Sequence, residues 1–181
     1  MRKVVASIVF GAVLVTMMGC GSSSPGAQAP SPAGGERPVA KGERIEHKAA
    51  RVAITVPAGW KKKQDGDVLT VMDPNEDVAA AFSVVDESAL GEVTNSIGQN
   101  LGARIQNLHF GKQDEIEING MKGVAIDGDG QMDGVNVDLM VVVIDTPAPG
   151  KAMMILALAE DAKLERHRRE LKALFQSITP L

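Results

Sequence analysis

"GVAIDGDGQMDGVNVDLMVVVID", Gly123–Asp145, decides how the rest of the chain reads. Residues 126–138 alone carry four aspartates and three glycines, which suits either a calcium loop or the tight end of a β-hairpin. Taken as a calcium loop from Asp127, the ligand positions hold Asp127, Asp129, Gln131 and Asp133. Met132 then stands where the sharp turn requires glycine, and Asp138 stands where a bidentate glutamate closes the loop. The flanks are apolar and β-branched, whereas a calcium loop is flanked by helices.

The hairpin reading places Asp133-Gly134 in a two-residue type I′ turn, a conformation this dipeptide favours. Met132 then faces Val135, Ile126 meets Val141 and Val124 meets Val143. Gly128 meets Leu139 and Gly130 meets Val137, small opposite large. A register chosen from the turn alone thus aligns the apolar positions, as a half-buried pair of strands requires. It also sets Asp129 opposite Asp138, a like-charge pair costing about 0.2–1 kcal/mol. Solvent or a weakly held cation would relieve it. The expectation is a hairpin without a metal.

Outward from this hairpin the pattern is mainly strands. "RVAITVP" alternates Val52, Ile54 and Val56 against Arg51, Ala53 and Thr55, and Pro57 ends it. "VLTVMD" and "VAAAFSVVD" read as two further strands around Asp73-Pro74-Asn75. "DEIEIN" precedes Asn119-Gly120, a second turn dipeptide, and "KAMMILALA" follows the loop "TPAPG". Between these runs the period changes: Leu90, Val93, Ile97, Leu101 and Ile105 make one helical face, with Ser88 as N-cap. Gly91, Gly98 and Gly102 weaken that helix, each by about 1 kcal/mol relative to alanine, or mark a close approach to a sheet. A second helix runs from Asp161, its expected cap, with Leu164, Leu171, Leu174, Phe175 and Ile178 as the apolar stripe and Pro180 beyond its end. Short connections predict a mostly antiparallel sheet. Leu139–Ile144 is apolar on both sides, so both faces must be covered. The expected fold is α+β: an α/β/α sandwich with six or seven strands and two main helices.

The N-terminus reads as an address. Arg2 and Lys3 precede an apolar run from Val4 to Gly19, which is short for a membrane span of about 20 residues but suits a secretory signal. Gly19-Cys20 at its end resembles the bacterial lipobox, with Met17 where leucine is usual. Cys20 is the sole cysteine, so no internal disulfide can form. Acylation at Cys20 gives stable anchoring, since each buried CH₂ contributes roughly 0.8 kcal/mol. Gly21–Gly42 is rich in Gly, Ser, Pro and Ala and buries too little to order itself. As a tether its 22 residues span on the order of 26 Å. The chain thus divides into a signal peptide, 1–19, a lipidated cysteine with a linker, 20–42, and one domain, 43–181, expected to be monomeric.

Without Arg2 and Lys3, the 19 basic residues fall to 17 against 23 acidic ones, a net charge of −6. That balance argues against nucleic acid, which needs a basic footprint. His47, His109 and His167 are scattered, with His167 expected to be solvated on the charged side of the last helix. No metal-ligand or nucleophile spacing occurs, and Asp145 with Asp161 offers only the kind of carboxylate pair any acidic chain contains. Neither catalytic residues nor a cofactor are expected. Met153 and Met154 are adjacent in a strand, face opposite sides and belong to core packing. Two basic groups remain: Lys61, Lys62 and Lys63 directly after Trp60, and Arg166, Arg168 and Arg169 on the last helix. They are either solvated faces or a docking surface, with Trp60 as anchor at the core edge.

Four stretches, "ITVPAGWKK" (54–62), "INGMKGVAIDG" (118–128), "PGKAMMILALA" (149–159) and "LKALFQSITPL" (171–181), resemble the PsbP/Mog-type fold family, including DcrB-like bacterial lipoproteins. The resemblance covers roughly residues 50–181. It implies an antiparallel α/β/α sandwich and proteins that mostly act as assembly factors, chaperones or binding partners, with no shared catalytic set. By the same resemblance, Gly21 after the cysteine points to the periplasmic face of the outer membrane in a two-membrane bacterium. The expected protein is a lipid-anchored, non-catalytic envelope module for an unidentified protein partner. A carrier of a small apolar ligand and a hydrolase of unrecognised type are the rival readings.

Overall fold

The computed structural model describes residues 42–86 and 101–181. Cys20, the leader and nearly all of the tether lie outside them, as does most of the expected first helix.

Seven strands form the main sheet: β3 (Lys61–Asp65), β4 (Val68–Met72), β5 (Val78–Asp86), β6 (Gln106–Ile118), β7 (Met121–Met132), β8 (Val135–Asp145) and β9 (Lys151–Glu160). Their order is β3-β4-β5-β9-β8-β7-β6, and every pairing is antiparallel. Two meanders therefore meet at the β5–β9 pair. The chain leaves β5 mid-sheet at Asp86 and re-enters on the far edge at Gln106. A second, smaller sheet joins β1 (Glu43–His47), β2 (Val52–Val56) and β10 (Thr179–Pro180). One α-helix, α1 (Lys163–Gln176), is described in full.

The hairpin register agrees with the sequence reading at every position, from Met132↔Val135 through Asp129↔Asp138 to Val124↔Val143. Asp133 (φ 52°) and Gly134 (φ 79°) both lie in the left-handed region, as a type I′ turn demands. Gly128 and Gly130 have a different role. A Cβ on Gly128 would lie 2.7 Å from the His109 carbonyl oxygen and 3.0 Å from the Phe110 ring. One on Gly130 would lie 2.4 Å from Ile105 Cγ2. The glycines that suggested a calcium loop make room for β6 and the residue before it.

Main-sheet side chains divide between two cores. On one face Phe82, Ile144, Met153 and Ile155 pack with Val52 and Ile54 of the small sheet and with Leu164, Leu171, Leu174 and Phe175 of α1. On the other, Val137, Leu139, Val141 and Val143 pack with Leu158, Ile105 and the half-buried Leu101. Burying each such side chain stabilises the fold by roughly 1.5–3 kcal/mol. Met153 and Met154 fall on opposite faces. Leu101 and Ile105 are the described members of the expected first helix, and both belong to the second core.

Three expectations need correction. The strands β1 and β3 carry no apolar alternation, so where three strands are expected before the first helix the described residues hold five, and β10 adds another after α1. Asp161 does not cap α1. The cap position is Ala162 (φ 59°) without a side-chain cap of its own, and its N–H donates instead to Asp138 Oδ2 at 3.0 Å. Ile178 lies past the helix end, where it is fully buried in the first core.

The end of the chain is tied down by polar contacts. Ser177 Oγ accepts from Thr55 N–H at 2.9 Å and donates to the Leu174 carbonyl at 2.6 Å. Asn119 Nδ2 donates to the carbonyls of Gln176 (2.8 Å) and Ile178 (2.7 Å). Leu181 N–H donates to Arg51 O at 2.9 Å. The "SITP" phrase thus locks the helix end to β2 and to the β6–β7 turn.

Candidate functional site

Trp60 ends the turn after β2, and its indole packs half-buried against the first core. Lys61, Lys62 and Lys63 follow as the first residues of β3, an edge of the main sheet. Lys61 pairs with Glu76 and Lys62 with Glu43. Arg166, Arg168 and Arg169 are exposed on α1. Arg168 donates to Glu165 Oε2 at 2.6 Å and approaches Asp127 of β7 at 3.6 Å. This bond to Glu165 is the main reason its guanidinium is held more firmly charged than usual.

One member of each basic group, Lys61 and Arg166, approaches the β4–β5 turn, Asp73–Asp77. Asp73 is buried at 1 % exposure, and its carboxylate accepts from the N–H groups of Asn75 (3.0 Å), Asp77 (2.6 Å) and Val78 (2.9 Å). Asp77 accepts from Lys163 Nζ at 2.8 Å. That bond above all lowers the Asp77 pKa, and the charges of Lys163 and Arg166 lower it further. The Lys163 ammonium is raised in turn, first by Asp77 and then by Glu160, which lies at 2.9 Å. Glu76 of the same turn holds Lys61. One acidic turn therefore separates Trp60 and the lysines of β3 from the start of α1, with Arg166 on its α1 side.

Asp73, Asp77 and His167 bring one ligand-type atom each within 4.8 Å of one another. Backbone amides and Lys163 already occupy the two carboxylates, and His167 Nδ1 lies 2.6 Å from Glu170 Oε2. The cluster is a polar strut between the β4–β5 turn and α1. His167 is thus not solvated as expected; its side chain is only 18 % exposed. Sequence reasoning missed this cluster, although "MDPNED" carries the signal of an aspartate bonding the amides of its own turn.

Asp145 and Asp161 are not partners. They stand at opposite ends of β8, Asp161 beside Asn136, about 30 Å apart along the strand. His47 is 3 % exposed, and its Nε2 lies 2.8 Å from the Asp67 carbonyl oxygen, linking β1 to the β3–β4 turn. Protein groups contact the Asp129–Asp138 pair: Asp138 accepts the Ala162 N–H, and His109 Nδ1 lies 3.6 Å from Asp129. An open polar groove of about 450 Å³ lies over this pair, walled also by Asn107, Gln131 and Asp161. Among the described residues no helix is long and apolar enough to cross a membrane.

A seven-stranded antiparallel sheet, covered on one face by a C-terminal helix and a three-stranded sheet, is the PsbP/Mog-type fold, and this chain has it. The solution structure of cyanobacterial PsbP (CyanoP) from Synechocystis sp. PCC 6803 is 10 % identical, with a TM-score of 0.56 over 83 % of this chain and 100 % of that one. LpqN of Mycobacterium tuberculosis, involved in cell envelope biogenesis, is 10 % identical, with a TM-score of 0.56 over 76 % and 88 %. The Saccharomyces cerevisiae Ran-binding protein Mog1p is 9 % identical, with a TM-score of 0.53 over 77 % and 95 %. A structure from Bacteroides thetaiotaomicron is longer, and this chain spans 49 % of it. At such identities the likeness is one of fold alone. No protein-family model and no curated protein matches the sequence.

Proposed function

We propose that this chain is a lipid-anchored envelope protein whose domain, residues 43–181, docks a protein partner without catalysing a reaction. Cys20 is the acylation site and residues 21–42 the tether. The docking surface comprises Trp60, Lys61, Lys62, Lys63, Arg166 and Arg169, with Arg168 held in its place on α1 by Glu165 and Asp127.

The observation that carries the reading is the half-buried indole beside three lysines, with Arg166 of α1 across one acidic turn, on a chain of net negative charge. Tryptophan and arginine dominate binding energy at interfaces when a partner excludes water from them. Existing ion pairs on the surface contribute only about 0–1 kcal/mol each, so an acidic partner can exchange them at little cost. LpqN, involved in cell envelope biogenesis, and Ran-binding Mog1p supply precedents of the same fold in an envelope role and in protein binding.

Crosslinking in native membranes, with and without Arg166→Glu, Arg168→Glu and Arg169→Glu together, tests the surface. Loss of the captured protein with an unchanged thermal midpoint is expected; undiminished capture refutes it. Cys20→Ser tests the anchor, and continued sedimentation with lipid vesicles would refute that part.

A further inference from the structure

We propose that Asn119 is a site of chemical modification: attack of the Gly120 nitrogen on its side-chain amide replaces that amide by a carboxylate, and this opens a clamp that holds the C-terminal segment, residues 177–181, on the domain.

The clamp answers a carbonyl that the chain cannot serve locally. The last carbonyls of an α-helix have no intrahelical donors. At the end of α1 the Ser177 N–H reaches the carbonyls of Ala173 and Leu174, and the Ile178 N–H reaches that of Phe175. The donor next in line for Gln176 lies four residues on, at Pro180, which has no N–H. Asn119, 57 residues upstream, supplies one instead: its Nδ2 donates to Gln176 O at 2.8 Å and to Ile178 O at 2.7 Å. Both acceptors are carbonyls, so the group between them must be the amide nitrogen, which has two hydrogens to give.

The turn itself does not call for asparagine. Asp133-Gly134 makes the same kind of turn in the same sheet, with φ of 52° and 79° against 49° and 83° at Asn119-Gly120. Aspartate at 119 therefore keeps the turn and loses the clamp, because a carboxylate only accepts and would face two carbonyl oxygens. The segment then depends on a ladder of two positions, Thr179↔Ala53 and Pro180↔Val52, and on the bonds of Ser177 to Thr55 and of Leu181 to Arg51. Ile178, fully buried in the first core, lies within it.

The dipeptide carries the chemistry that makes this change. Asn119 and Gly120 are exposed, and a Cβ on Gly120 would find nothing within 4 Å. The Gly120 nitrogen bonds to Asn119 Cγ, the Cγ–Nδ2 bond breaks, and Nδ2 leaves as ammonia with the proton that Gly120 gives up. Water then opens the cyclic imide at either carbonyl, which yields aspartate or isoaspartate. Both acceptors engage the leaving nitrogen while the clamp is closed, so the reaction runs through the opened clamp and its rate reports how often the segment lifts.

The site does not rest on the docking surface proposed above. The test incubates the full chain at mildly alkaline pH and follows residue 119 by peptide mapping with mass spectrometry. Conversion is expected, slower in the folded chain than in the urea-unfolded chain by about tenfold. Ser177→Ala removes the bonds to Thr55 and Leu174 without touching the reacting dipeptide, and should speed conversion in the folded chain about fivefold. In Asn119→Asp, amide exchange at Ile178 and Leu181 should quicken about tenfold, with β8 unchanged. No conversion in the folded chain by the time the unfolded chain has converted in full, equal rates in the two, a Ser177→Ala rate equal to the parent's, or parent-like exchange in Asn119→Asp would each overturn the proposal. Should either variant fail to fold, the two rates of the parent still decide.

Discussion

The β6–β7 and β7–β8 hairpins share a strand and have the same kind of turn, yet only one keeps its register. Asn119-Gly120 (φ 49° and 83°) and Asp133-Gly134 (φ 52° and 79°) are both two-residue turns in the left-handed region. From Asp133-Gly134 the ladder runs without a shift from Met132↔Val135 to Gly123↔Ile144. From Asn119-Gly120 it is regular as far as Gln113↔Ile126 and then shifts twice. The turn sets register locally, and burial on both faces maintains it. Strand β8 is covered on both faces, with Leu139 and Ile144 fully buried. Strand β6 is mostly exposed, and its N-terminal half bends over β7 where Gly128 and Gly130 leave space.

Substitutions can break this comparison, and the largest effect belongs to the buried ladder. Leu139→Ala removes a fully buried side chain and should cost about 3.5 kcal/mol in urea unfolding. The half-buried Leu108 of β6 should cost less than half of that. Equal costs would mean that β6 is as tightly held as β8. Next comes Gly130→Ala, expected to cost about 2 kcal/mol because the new Cβ collides with Ile105. Gly134→Ala adds the same methyl group where nothing lies within 4 Å, so only its positive φ matters, at about 1 kcal/mol. A reversed order of these two glycines would show that close approach of β6 is not what constrains β7. Asp129→Asn removes one of two facing carboxylates and should stabilise by about 0.3 kcal/mol, read as a small rise in thermal midpoint. Finally, millimolar calcium should leave that midpoint unchanged. A clear rise would mean that Asp129 and Asp138 hold a cation after all.

The candidate surfaces divide in the same way. Trp60 and the two basic groups stand out in the sequence because aromatic and cationic residues are conspicuous on an acidic chain. That Lys61 and Arg166 approach one acidic turn does not, because the turn, β3 and α1 are far apart in the chain and meet only on folding. The Asp73–Asp77–Lys163–His167 strut escaped notice for the same reason. The β6 edge was equally illegible. "DEIEI" announces a strand, but nothing local says that it will be the outermost one of its sheet among the described residues.

By itself the sequence determined the strands with alternating or continuous apolar runs, the last helix and the full register of the β7–β8 hairpin. These follow from local rules: the period of side-chain direction and the φ > 0 required by Asp133-Gly134. Tertiary structure alone decided that the charged β1 and β3 and the proline-bearing β10 are strands, that Asp138 rather than Asp161 serves the α1 N-terminus, and that glycines 128 and 130 answer to another strand. Each of these depends on a partner remote in sequence. A missing Cβ has no periodicity to read; its meaning comes from whatever group the fold brings against it.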